Sequence, residues 1–189
     1  MVLVAVACIS DDPVIPGEQV LGTFRFDATL DRSRTTCVGS PGEPVPLSDA
    51  GVLRFEATYS RNDGGTGFVT VQGFSRGAEY SGQRVVSSHT VGATYPACGE
   101  GCQGSKITET LDTLLLSSSQ DELIGRNCLG LVDGGVPGDG GVPPGPTPNG
   151  YDVQRACGTL TDEFIPGTVN CTCTKGCKAV YTVEGVRGN

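Results

Sequence analysis

The chain has 189 residues, 29 of them Gly and 12 Pro, with a single Met, no Trp and a formal net charge of −8. That length suits one domain, and the composition favours turns and strands over helices. A chain this acidic, with no cluster of Lys or Arg, is repelled by phosphate backbones and anionic headgroups; this excludes nucleic acid as a partner and charge as a means of membrane attachment.

The sequence opens on Met1-Val-Leu-Val-Ala-Val-Ala-Cys8, an uncharged apolar run that ends in small residues and a cysteine. It is far short of the roughly 20 apolar residues a spanning helix needs. Residues 9–18 follow with Asp11, Asp12, Pro13, Pro16 and Gly17, which suit a stiff spacer rather than a helix. Ala5-Val6-Ala7-Cys8 resembles the lipobox of bacterial lipoproteins, although Ala5 stands where Leu is usual and no Lys or Arg precedes the apolar stretch. The resemblance implies that residues 1–7 are the remnant of a signal peptide, that Cys8 carries diacylglycerol at a new N-terminus, and that residues 8–18 are a tether. Ile9 rather than Asp after the cysteine implies the outer membrane. The Gly/Pro-rich insert, Arg155-Ala-Cys157-Gly and the late Cys-x-Cys make the whole chain similar to lipoproteins of myxobacteria-like Gram-negative bacteria, a likeness that implies no particular activity.

Residues 19–189 read as a single β domain. Thr23–Leu30 alternates strictly, with Phe24, Phe26, Ala28 and Leu30 on one face, and Leu53–Tyr59 repeats the pattern with Leu53, Phe55, Ala57 and Tyr59. The two segments also share a template, Arg25-Phe-Asp-Ala-Thr against Arg54-Phe-Glu-Ala-Thr, read here as convergence on one strand pattern rather than a repeat array. The loop Ser60-Arg-Asn-Asp-Gly-Gly-Thr-Gly67 predicts a hairpin closing onto Phe68–Phe74. Further strands are expected at 83–93, 151–157 and 178–184; residues 107–116 suit a strand or a helix, with Thr108, Thr110 and Thr113 favouring the strand, and one short helix is expected at 120–126 behind the capping box Ser119–Glu122. Between Val132 and Gly150, 12 of 19 residues are Gly or Pro, which predicts a mobile surface loop.

Setting Cys8 aside leaves Cys37, Cys98, Cys102, Cys128, Cys157, Cys171, Cys173 and Cys177, an even number that suits an oxidising compartment. The C-x-C and C-x3-C spacings of Cys171, Cys173 and Cys177 depart from the C-x2-C that lets two thiolates turn onto one zinc ion. Cys98 and Cys102 are too widely spaced for a redox C-x-x-C pair. Disulfides are therefore expected, with connectivity open, since eight cysteines allow 105 pairings.

Little else points to chemistry. Gly73-Phe-Ser75-Arg-Gly77 matches a nucleophile elbow, but no helix follows it, and His89 is the only histidine. Asp133 and Asp139 offer too few oxygens for calcium. Asp162 and Glu163 are adjacent and should face opposite sides of a strand, and Glu109 and Asp112 have no partner that periodicity places beside them. Asn170-Cys-Thr is a glycosylation sequon only in a eukaryotic setting. No catalytic residue, metal ligand or cofactor site is expected.

The sequence therefore predicts an all-β antiparallel sandwich of seven to nine strands, or alternatively a partly closed barrel, stapled by disulfides. Its expected core is Phe24, Phe26, Leu30, Leu53, Phe55, Tyr59, Val69, Val71, Leu111, Tyr181 and Val183. The functional expectation is a lipid-anchored envelope module, non-catalytic, binding an envelope protein or a glycan. A small hydrolase is the alternative.

Overall fold

The structure is a computed structural model that describes residues 15–37, 52–92, 98–99, 102–117 and 153–188. Eight strands follow one another: β1 Gln19–Leu30, β2 Val52–Arg61, β3 Thr66–Val71, β4 Phe74–Ser81, β5 Arg84–Gly92, β6 Lys106–Ser117, β7 Val153–Ile165 and β8 Cys177–Arg187. Each pairs antiparallel with the next, and β8 pairs with β1, so the sheet closes into an up-and-down barrel. The barrel alternative is therefore what forms, fully closed, rather than the sandwich. Closure removes the two free edges that an open sheet would have to protect.

The inner face is apolar, as the alternation predicted. Phe24, Phe26, Ala28, Ala57, Tyr59, Val69, Leu111, Tyr181 and Val183 are buried in one core, with Leu30, Leu53, Phe55 and Val71 packed against it. Phe26 stacks on Phe55 at 5.0 Å between ring centroids, and Phe24 meets Tyr59 edge to face at 5.6 Å. Gly185 leaves room for this packing, since a Cβ there would lie 2.6 Å from the Phe26 ring.

The outer face carries Thr, Ser and charged residues. Pairing of β1 with β2 puts Arg25 opposite Glu56 and Asp27 opposite Arg54, both ion-paired at 2.9 Å. The shared Arg-Phe-acid template thus has a cause: run antiparallel, it sets each arginine against an acid. Exposed pairs of this kind add little stability but favour one register. Ser88 with Thr110 and Thr90 with Thr108 bond across β5 and β6 at 3.0 and 2.8 Å. A barrel that spans a membrane places apolar side chains outward and polar ones in its lumen, the reverse of this arrangement.

The two ends differ. At the plain end, Ser60 Oγ donates to Pro16 O, Glu18 N donates to Asn62 Oδ1, and Asp63 N donates to Glu18 Oε2, so residues 16–18, expected within the tether, dock against the β2–β3 turn. At the other end, the stapled end, three disulfides tie the connections together. Cys37–Cys177 joins the β1–β2 connection to the start of β8, while Cys98–Cys173 and Cys102–Cys171 lash the β5–β6 connection to the β7–β8 connection. The crossed pairing explains the C-x-C spacing: Thr172 N bonds to Cys98 O and Gln103 N to Val169 O, so two short antiparallel segments are bolted at alternate residues. These cysteines pack round Phe164 and Ile107. Leading into Cys37, Asp31 accepts bonds from the Ser33 hydroxyl, the Ser33 backbone N–H and Arg34 Nε, and these hold its carboxyl low, at about 2. Cys157 is disulfide-bonded as well, on the outer face beside Leu116. Its partner, the expected helix at 120–126, the 132–150 loop, Cys8, Cys128, Asp133 and Asp139 lie outside the described residues.

Candidate functional site

Inside the stapled end the lumen is not filled. A cavity of about 180 Å³ opens there, walled by Leu53, Phe55, Val69, Val71, Leu111 and Leu160. Five polar residues line it as well: Arg54, whose side chain is paired with Asp27 on the outer face, and Gln72, Arg76, Ser87 and Glu109.

Alternation explains how each arrives. Val69 pairs with Arg76 across β3–β4, so Arg76 shares the inner face with Val69 and projects into the lumen. Ser87 and Leu111 are partners across β5–β6, as are His89 and Glu109. Glu109 in turn pairs with Asp162, and Leu111 with Leu160, across β6–β7. Arg76 on β4 reaches past β5 to Glu109 on β6, where Nη1 donates to Oε1. The pair is largely withdrawn from water, the two side chains being 23% and 34% exposed.

Asp162 completes the group. Burial, helped by the neighbouring Glu109 charge and opposed by Arg76, pushes its carboxyl up to about 6. Its Oδ1 is buried and has no hydrogen-bond partner among the described residues. Ser87 Oγ donates to Gly77 O at 2.9 Å, which leaves its oxygen as an acceptor toward the cavity. A partly buried ion pair with a third carboxyl whose Oδ1 is unsatisfied costs folding energy, and such groups cluster where a protein binds or reacts.

The rim is apolar and exposed. Val52, Phe74, Val91, Ile165 and Val169 all lie at strand ends or connections of this end, and Phe74 is 74% exposed. Gln72 and Gly73 turn the β3–β4 hairpin with φ of 49° and 83°, the positive angles a two-residue type I′ turn demands. Gln72, a residue that seldom adopts such angles, thus sits strained at the cavity mouth.

Sequence reasoning placed some of these residues correctly and missed others. Ser75 lies on the outer face of β4, bonded to Thr70 at 2.8 Å, and the chain continues as strand, so no nucleophile elbow forms. His89 is on the opposite, inner face of the sheet, exposed at the mouth. Asp162 and Glu163 do face opposite sides. Glu109 and Asp112, for which periodicity placed no partner, have partners in the fold: Arg84 holds Asp112 on the outer surface at 2.5 Å, and Glu109 is paired with Arg76 and lies opposite Asp162. These contacts follow from the order and register of strands, which periodicity within one strand does not reveal. A signal was available only in part: Glu109 shares the phase of the apolar Ile107, Leu111 and Leu115 on β6, whereas β4 around Arg76 shows no clear period. Asn170, in the sequon, has a positive φ of 55° in the exposed β7–β8 connection.

Eight-stranded barrels have a lumen just wide enough to be filled by side chains or to hold one small ligand. Here one half does the first and the other is shaped for the second. No protein-family model, curated protein or solved structure matches the chain.

Proposed function

We propose that this chain is a non-catalytic binding module of the cell envelope, which takes the apolar part of a small amphipathic molecule into the stapled end of its barrel. The observation that carries this reading is the unfilled, apolar-walled lumen beside a partly buried charged group. A domain selected for stability alone would fill that space with side chains. Disulfide-bonded connections keep the mouth in shape, which lowers the ordering cost of binding. The volume suits a body about the size of a benzene ring, for comparison with engineered cavities of about 150 Å³ that bind benzene.

A hydrolase is the competing reading, because two carboxyls in unlike environments are the raw material of acid–base chemistry. Against it, Arg76 already engages Glu109, and Ser75 lies on the outer face of the sheet while His89 lies on the inner. Titration of the oxidised protein with benzyl alcohol, followed by amide NMR, tests the binding reading. Shifts centred on Val71, Leu111 and Leu160 are expected, and their absence would discard it.

The lipid anchor at Cys8 belongs to the same proposal. Cys157 is oxidised and six other cysteines pair among themselves, so only Cys8 and Cys128 remain as its partner. An acylated Cys8 requires the bond to be to Cys128. Disulfide mapping and intact mass of the protein from its native host should show a Cys128–Cys157 peptide and a diacylglyceryl mass. A Cys8–Cys157 peptide refutes the anchor. β1 begins at the plain end with residues 16–18 docked there, so on this reading the tether leaves the barrel at the end opposite the mouth.

A further inference from the structure

We infer that the molecule taken into this cavity, on the binding reading just given, carries a compact cationic nitrogen on its apolar body. The charges at the mouth do not balance. Among the described residues that line the cavity, Arg76 is the only cation besides the outward-facing Arg54, and it is paired with Glu109. Asp162 stands just behind the wall, opposite the cavity-lining Glu109 in the β6–β7 register; it feels Arg76 only at longer range and its Oδ1 is buried without a donor, so two inward acids share one inward cation. An ammonium group supplies several N–H donors and a positive charge at once. A carboxylate or phosphate head would instead meet two acids and an arginine already used, and a neutral hydroxyl would satisfy one lone pair but leave the charge. The net charge of −8 draws cations toward the molecule as a whole.

The groups facing Asp162 also set how binding should vary with pH. They are Glu109 on β6, Arg76 on β4 and, one strand further, His89 opposite Glu109 on β5, while the β8 partner is the uncharged Ala179. Asp162 must be ionised to hold the cation. Affinity is therefore complete above about pH 7 and declines as the carboxyl takes up its proton near pH 6.

The test compares three isosteric probes on the full oxidised chain at pH 7.5, namely benzylammonium, benzyl alcohol and benzoate, titrated by amide NMR or calorimetry. Benzylammonium should bind about tenfold or more tighter than the alcohol, with benzoate weakest, in keeping with the strength of charge-assisted hydrogen bonds. Asp162→Asn should bring the ammonium down to the level of the alcohol and leave the alcohol within about twofold. Glu109→Gln frees Arg76 to neutralise Asp162 and should produce the same loss, so the result does not depend on a single variant folding. Benzoate binding as tightly as the ammonium, or an ammonium preference that survives both substitutions, overturns the inference while the cavity reading stands. If none of the three probes moves the signals of Leu111 and Leu160, both readings fall.

Discussion

In the plain half of the barrel the lumen is filled by Phe24, Tyr59 and Tyr80, and its polar atoms are spent on one another: Tyr59 Oη bonds to Thr113 Oγ1 at 3.0 Å and Tyr80 Oη donates to Ser60 O at 2.9 Å. Burial raises both phenols above their usual range, so they stay neutral donors at any physiological pH. In the stapled half, the equivalent inward positions carry Arg76, Glu109 and Asp162 beside empty volume, and three disulfides close round them. The difference shows two ways of holding one barrel. Where packing is dense, side chains suffice. Where lumen is given over to a cavity, covalent links between the connections take over part of the task.

The largest expected effect separates the halves by truncation. Phe24→Ala removes a fully buried ring from the filled half and should cost about 3–5 kcal/mol. Leu53→Ala removes a half-buried wall of a space already open, and should cost only about 1–2 kcal/mol. Urea unfolding of the two variants measures the contrast, and equal losses would mean that the stapled half is as tightly packed as the other.

Removing a staple comes next. Cys37 and Cys177 are 140 residues apart, so their bond restrains most of the unfolded chain. The double substitution to Ser should cost about 2–4 kcal/mol, below the full loop-closure value because Cys98–Cys173 and Cys102–Cys171 already shorten the free path. Hydrogen exchange should rise at β8 Ala179–Tyr181 and the end of β1 while β2–β3 at the plain end stays protected. Uniform loosening would contradict the division of labour between the two ends.

How much of this was legible depends on what each feature is encoded by. Strand alternation located β1 and β2, because burial of one sheet face writes itself into every second position, while threonine content alone tilted residues 107–116 toward the strand β6; every expected core residue lies in or against the observed core. The β3–β4 hairpin escaped, since Gln72-Gly73 occupies a turn that Asn-Gly or Asp-Gly usually announces, and β4 is too rich in Gly and Ser to show a period. The second half of β7 escaped for a related reason: Thr161 and Asp162 read as polar surface until the barrel closes over them. Closure itself rests on the β1–β8 pairing across the whole chain, a long-range contact that no local pattern records. The site inherits that blindness. Arg76, Glu109 and Asp162 come from three strands, and only the register brings them together.

A smaller effect tests what the unbalanced acid costs. Because Asp162 has its carboxyl raised to about 6 in the fold, the native state holds the proton more tightly than the unfolded chain does. Stability must therefore fall as pH rises from about 4 to 6, and the penalty is complete above that. Asp162→Asn relieves it, and should stabilise the protein by roughly 2 kcal/mol at pH 7.5, after allowance for partial exposure, but by almost nothing at pH 4. Thermal melts at the two pH values read the difference. A variant that gains stability while losing its preference for ammonium would show the charge being kept at the expense of the fold.

The smallest effect lies at the hairpin on the rim. Gln72 holds φ at 49° in a turn position that Asn adopts more readily, so Gln72→Asn should stabilise by up to ~1 kcal/mol if the side chain does nothing else. Gln72 also lines the cavity mouth. The substitution keeps the carboxamide but shortens its reach by one methylene, so backbone relief and ligand contact separate in a single variant. Greater stability with unchanged affinity for benzyl alcohol assigns the residue to the turn alone. Greater stability with weaker binding means that strain is retained at the mouth because the longer side chain touches what enters, which places the plain and stapled ends under different selection down to one dihedral angle.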